Sequence, residues 1–138
     1  MKPSLNRLPP APTPVSICLE IQEAGGGSSG LYLENQGITE CIFGRAEAES
    51  TPGRVRIRLR DPFVSQSHCR LLAGPDGGWW IEDLGSRNGT RIGGRAENHL
   101  PVRQVRGAER LEGGMVIQIG RTLMTLTDGQ EALRRAVA

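Results

Sequence analysis

Three sets of side chains in this 138-residue sequence could do chemistry, and their types fix what each could do. The first is Ser65-Gln66-Ser67-His68 with Asp83, the residue types that together activate a hydroxyl nucleophile. The second is arginine: Arg45 directly after Gly44, Arg87 inside Ser86-Arg87-Asn88-Gly89-Thr90, and Arg54, Arg56, Arg58 and Arg60 at every second position. A guanidinium is a planar fork that engages two oxygens of a phosphate or carboxylate at once, so such positions suit an anionic ligand. The third is Cys18, Cys41 and Cys69 with His68 and His99. These cysteines lie far apart without a paired metal spacing, and an odd number cannot close a disulfide framework. They are expected to be reduced and mostly buried, and no metal or other cofactor is expected. Hydrolysis is not expected either, because the chain has no Gly-x-Ser-x-Gly elbow, no Walker loop and no HExxH, so no catalytic residue is assigned.

The elements that must position these groups are strands. Val15, Ile17, Leu19 and Ile21 alternate with Ser16, Cys18, Glu20 and Gln22, the period of a half-buried strand. The run Gly25-Gly26-Gly27-Ser28-Ser29-Gly30 predicts a break, with short strands following at Leu31-Tyr32-Leu33 and Cys41-Ile42-Phe43. From Arg54 to Arg60, Val55, Ile57 and Leu59 face one way and the four arginines the other, a row expected to be a solvated face. Strands are also predicted at His68–Leu72, Trp79–Asp83 and Met115–Ile119, and at Leu123–Thr127 after a turn at Gly120-Arg121. Trp79 and Trp80 are read as packing residues of their strand. Many short strands at close spacing predict an all-β sandwich or barrel.

The ends read differently. Pro9, Pro10, Pro12 and Pro14 make residues 1–14 a proline-rich arm, since proline fixes φ and removes backbone donors. Residues 128–138 carry helical character, with Asp128 as a plausible cap, and form a C-terminal tail that could lead to another domain. The folded domain is expected over 15–127. The basic start followed by prolines fails as a secretory signal, and no apolar run is long enough for a bilayer, so the expected address is cytoplasmic, without a membrane. Lys+Arg of 17 against Asp+Glu of 15 gives a net charge of +2, too balanced to imply a nucleic-acid partner.

Taken in order, Gly44-Arg45, Leu59-Arg60-Asp61-Pro62-Phe63-Val64 leading into Ser65-Gln66-Ser67-His68, Asp83 to Thr90, Leu111-Glu112-Gly113-Gly114 and Ile117-Gln118-Ile119-Gly120 resemble the forkhead-associated (FHA) family. Each motif alone is weak, but the order, spacing and strand context match together. The resemblance implies an FHA-type β-sandwich of about eleven strands that binds a phosphothreonine peptide with the loops at one end. It implies a protein-binding module in serine/threonine-kinase signalling or regulation, not an enzyme. The implied partner is a phosphothreonine-containing protein or peptide, from a kinase or its substrate.

By the same resemblance, Arg45 matches the arginine that pairs with the phosphate and Ser65 the serine that contacts it. Asn88 matches the asparagine that holds the peptide main chain, a task for a side chain that both donates and accepts. His68 matches a histidine that braces the loop from inside, Gly44 allows close approach before Arg45, and Gly89 supplies the positive φ of the Asn-Gly turn. Two departures stand out. Gln66 occupies a position where the family very often has arginine or lysine, and Arg87 is the expected compensating guanidinium at the pocket rim. Residues 46–53 after Arg45 read as an insertion in the loop. The alternative to phosphothreonine reading is a diverged scaffold that binds its partner without phosphate.

Overall fold

The alternation that opens the domain folds as β1 (Ser16–Gln22), with Ile17, Leu19 and Ile21 buried. A computed structural model of the chain describes residues 16–128 except 35, 36 and 76. The proline arm and the tail after residue 128 lie outside those residues, but Asp128, expected to cap that tail, instead ends a strand and pairs with Ile17. After β1 come β2 (Ser28–Glu34), β3 (Glu40–Gly44), β4 (Glu49–Thr51), β5 (Arg54–Arg58), β6 (Cys69–Ala73) and β7 (Trp79–Asp83). β8 (Thr90–Gly93), β9 (Arg103–Gln104), β10 (Ala108–Arg110), β11 (Val116–Ile119) and β12 (Thr122–Asp128) complete twelve strands among the described residues. The only regular helical turn described there is the 3₁₀ turn Arg95–Glu97.

Two sheets of six strands stack face to face, in the orders β2-β1-β12-β11-β8-β9 and β10-β7-β6-β3-β5-β4. Strand pairing is antiparallel except for β3 with β5, which run parallel because β4 and a tight turn reverse the chain between them. Inward side chains of both sheets make one core. Leu19, Leu33, Ile117, Met124 and Leu126 come from the first sheet, and Phe43, Leu71, Trp79 and Ile81 from the second. Each such fully buried side chain contributes about 1.5–3 kcal/mol relative to exposure. Trp79 is buried and Trp80 half-buried on the outer face, as strand alternation requires.

Two departures from the sequence pattern have local causes. Ser28, Ser29 and Gly30 were expected in a break, but they continue β2, because each pairs in register with Ile21, Gln22 or Glu20 of β1. The break shrinks to a turn closed by Gly26 N to Glu23 O at 3.0 Å and Glu23 N to Gly27 O at 2.9 Å. The stretch read as an insertion contains β4, an edge strand joined to β5 by Pro52-Gly53, where Gly53 takes φ +80°. Proline presets the first turn residue and glycine accepts the positive φ of the second.

The thiols are free, with Cys41 and Cys69 buried and Cys18 half-buried. Burial, assisted by the Glu40 charge, pushes the Cys41 thiol up to about 12, and burial raises Cys69 further. Both are therefore protonated packing groups at neutral pH.

Candidate binding site at the loop end of the sandwich

The loops after β3, β5 and β7 meet at one end of the sandwich, and glycine lets them meet. A Cβ on Gly44 would lie 2.0 Å from the Gln66 carbonyl oxygen, so any other residue there would displace the serine loop. With glycine, the two segments zip together through Arg45 N to Ser65 O at 3.0 Å and Ala46 N to Gln66 O at 3.2 Å. Leu59 N donates to Gly44 O at 2.8 Å, drawing the end of β5 against the same point. Arg45 is exposed, and its Nε donates to the Val64 carbonyl, which pins the neck of the side chain. Among the described residues, its two terminal nitrogens bond nothing within the chain.

His68 braces this arrangement from below. It is fully buried, accepts at Nδ1 from Ser65 N at 3.0 Å, and through Nε2 reaches Gly89 O at 2.8 Å. Those partners assign the proton to Nε2. The Ser65 hydroxyl accepts from Arg87 N at 3.0 Å instead of facing the imidazole. Asp83 is also committed elsewhere. Its carboxylate accepts from Gly85 N, Ser86 N, Ser86 Oγ and Thr90 Oγ1 at 2.6–3.0 Å, which shapes the β7–β8 loop. Burial alone would raise the Asp83 carboxyl, but these hydrogen bonds outweigh it and hold the group below the ordinary range. Ser65, His68 and Asp83 are thus scaffold contacts in series, without the hydroxyl-to-imidazole bond of a nucleophile triad.

Asn88 is exposed at the rim, with Nδ2 donating to Phe63 O at 2.8 Å, and Gly89 takes φ +80° beside it. The structure therefore brings Arg45, Ser65, Gln66 and Asn88 onto one face. Arg87 joins them through its backbone, while its side chain is exposed and meets no partner among the described residues.

Several contributors escaped the sequence reading. The arginine row is not a uniform solvated face. Arg54 bonds Glu40, which Arg70 also holds, and Arg70 reaches on to Glu82. Burial pushes the Glu40 carboxyl up, but its bonds to Arg54 and Arg70 hold it low. Arg56 turns to the serine loop and donates to Ser67 Oγ at 2.8 Å. Arg58 and Arg60 line a cleft of about 470 Å³ beside Arg45. The period-two pattern put all four side chains on one side, but only their neighbours on β3 and the serine loop divide their roles.

Asp61 was also missed. Its buried carboxylate takes Phe63 N at 2.9 Å, Arg121 N at 2.7 Å and Thr122 Oγ1 at 2.8 Å, tying the serine loop to the β11–β12 turn. The Arg121 guanidinium stacks over the Phe63 ring, 4.3 Å from its centroid. Burial would raise the Asp61 carboxyl, yet the three hydrogen bonds and the Arg121 charge hold it below the ordinary value. The unfolded chain has a higher pKa, about 3.9, so Asp61 stabilises the fold above that value and loses its contribution as pH falls through the folded one. Asp61→Asn is expected to lower stability by about 1–3 kcal/mol at pH 7. In urea unfolding, the gap from wild type should narrow below about pH 4, while Asp83 keeps some acid sensitivity in both. A gap independent of pH would remove the role given to the charge.

The FHA domain family model matches residues 41–120. This chain belongs to the FHA family. The matched span runs from Cys41 in β3 through β11 to Gly120 and contains Gly44, Arg45, Ser65, Gln66, His68, Arg87, Asn88 and Gly89. The chain is 32% identical over 109 residues to the FHA domain-containing protein FhaB of Mycolicibacterium smegmatis, covering 78% of this chain and 58% of that protein. The chain thus spans little more than half the length of that relative. The FHA domain of the CT664 protein from Chlamydia trachomatis superposes with a TM-score of 0.61 at 26% identity, over 82% of this chain and 97% of the other. The N-terminal FHA domain of S. cerevisiae Rad53p, solved with a phosphothreonine peptide, has a TM-score of 0.55 at 18% identity, over 85% and 98% of the two chains. FHA membership makes the chain a binding module, and its sandwich is the fold those structures share.

Proposed function

We propose that this FHA domain reads phosphothreonine in a partner protein, with the phosphate held by Arg45 and Ser65 and the peptide main chain by Asn88. The observation that carries the proposal is the Arg45 side chain, pinned at its neck by Val64 O while its terminal nitrogens, beside the Ser65-Gln66 loop, have no partner among the described residues. A guanidinium fixed at Nε has little rotamer freedom left to lose on binding, and its remaining N–H groups present a fork to a tetrahedral dianion. The Rad53p domain, which shares the sandwich, was solved with such a peptide. The Asn88 carbonyl oxygen remains available to accept while Nδ2 donates to Phe63 O.

In this reading Gly44, His68 and Gly89 are supports, Gln66 and Arg87 flank the phosphate, and the domain performs no catalysis. Its partner is a serine/threonine kinase or a kinase substrate, and since phosphothreonine is made from ATP, the working compartment is the cytoplasm. The folding unit covers about 15–127: β12 lies between β1 and β11 in the first sheet, so strands outside the family match complete the sandwich. Residues 1–14 and 128–138 are flanking segments in this proposal.

Gln66 favours a second reading, a scaffold whose partner carries no phosphate, because a neutral amide stands where a cation would reinforce Arg45. Titration with a degenerate phosphothreonine peptide library, against matched phosphoserine and unphosphorylated libraries, separates the two. Binding confined to the phosphothreonine library is expected. Equal binding to the unphosphorylated library would replace the first reading with the second.

A further inference from the structure

We propose that the cleft beside Arg45 is a second anion subsite, which takes a phosphate or carboxylate carried by the same peptide a few residues from the phosphothreonine. The inference rests on the phosphothreonine reading and specifies which peptides the site prefers. Its basis is a set of arginines that the fold leaves without a task. Gly44 pairs with Arg58 in the parallel β3–β5 ladder, and Leu59 N is bonded to Gly44 O, so Arg58 and Arg60 emerge alongside Arg45. Together they line the cleft of about 470 Å³, with Gln66 on its serine-loop side. Arg54 and Arg56 of the same row have protein partners, whereas Arg58 and Arg60 are exposed with no ion pair among the described residues.

The charge balance of the cleft points the same way. Arg45, Arg58 and Arg60 face two carboxylates, Glu47 and Asp61. Asp61 is engaged by Phe63 N, Arg121 N and Thr122 Oγ1, which leaves exposed Glu47 as the single uncommitted acid. Cations held together by a shared cleft repel one another, and an anion placed among them relieves the repulsion. Ser65 does not line the cleft, so a phosphate held by Arg45 and Ser65 sits at its edge and leaves Arg58 and Arg60 for a second anion. An extended peptide rises about 3.3 Å per residue, so a side chain one to three positions away lies within about 10 Å of the phosphate. That reach covers the cleft.

The test uses the full chain and labelled phosphothreonine peptides in an alanine background. A single aspartate, or a second phosphothreonine, is placed in turn at each of three positions on either side, so the two series distinguish carboxylate from phosphate. At one position or more, binding is expected to tighten about fivefold over the alanine peptide, and further with phosphate. The readout is the ratio of the two affinities within each protein, which a general loss of fold or binding would not move. In Arg58→Gln/Arg60→Gln the ratio should fall toward one, and in Glu47→Gln it should rise. If the alanine peptide binds but no position gives a gain, or the gain survives the double variant, the subsite is overturned and the phosphothreonine reading stands. If no phosphothreonine peptide binds, both fall together.

Discussion

Alanine in place of Arg45 is expected to weaken phosphothreonine-peptide binding by roughly 100- to 10,000-fold while shifting stability by no more than about 1 kcal/mol. The large effect follows from the number and kind of bonds lost. Two charge-assisted hydrogen bonds to a dianion contribute about 1.5–3 kcal/mol each, and each 1.4 kcal/mol is tenfold in affinity. The small effect follows from exposure: within the fold the side chain gives up one bond, from Nε to Val64 O, at the surface. Arg45→Lys is the sharper companion. Lysine keeps the positive charge but loses both the Nε contact and the fork, so it should recover only part of the affinity. Isothermal titration with one phosphothreonine peptide measures all three proteins. If lysine matched arginine, charge alone would suffice and the pinned fork would be irrelevant; if alanine matched arginine, the phosphate would lie elsewhere.

How much of this was readable from residues alone depended on the range of the interaction. β1 and β5 were legible because period-two alternation over seven positions has no helical counterpart, and the buried Ile17, Leu19 and Ile21 are those the pattern selected. β7 was legible because turn residues bound it on both sides. β4, β8, β9 and β10 were not, since strands of two to four residues carry no period; their partners define them. Within the site, Gly44, Arg45, Ser65, His68, Asn88 and Gly89 came from motif order, and the structure gathers them at one end. The role of Asp61 was hidden because two of its donors, Arg121 and Thr122, are 60 and 61 residues away in sequence. The arginine row was legible as a row, but its division into an ion pair, a loop brace and two cleft residues depends on what β3 and the serine loop place opposite each one.

The second large effect is expected at His68, where alanine should destabilise the domain by about 3–5 kcal/mol and disturb the site from beneath. The ring is fully buried and bridges the loops that carry Ser65 and Gly89, which are 24 residues apart in sequence. Removing it orphans a backbone N–H on one side and a carbonyl on the other, each costing about 1–3 kcal/mol when buried and unpaired, and leaves a cavity as well. Against a typical total stability of 5–15 kcal/mol, about 4 kcal/mol is a large share, so urea unfolding should move to a much lower midpoint. His68→Gln tests the geometry more finely, because its amide can donate toward Gly89 O but cannot hold the rigid spacing of the imidazole. It should recover part of the stability and less of the peptide affinity. Binding measured in the cold, where both variants remain folded, separates the two consequences. If alanine cost less than about 1 kcal/mol, the two loops would have to be held together by the bonds from Arg87 N to Ser65 Oγ and from Asn88 Nδ2 to Phe63 O, and His68 would be filling space.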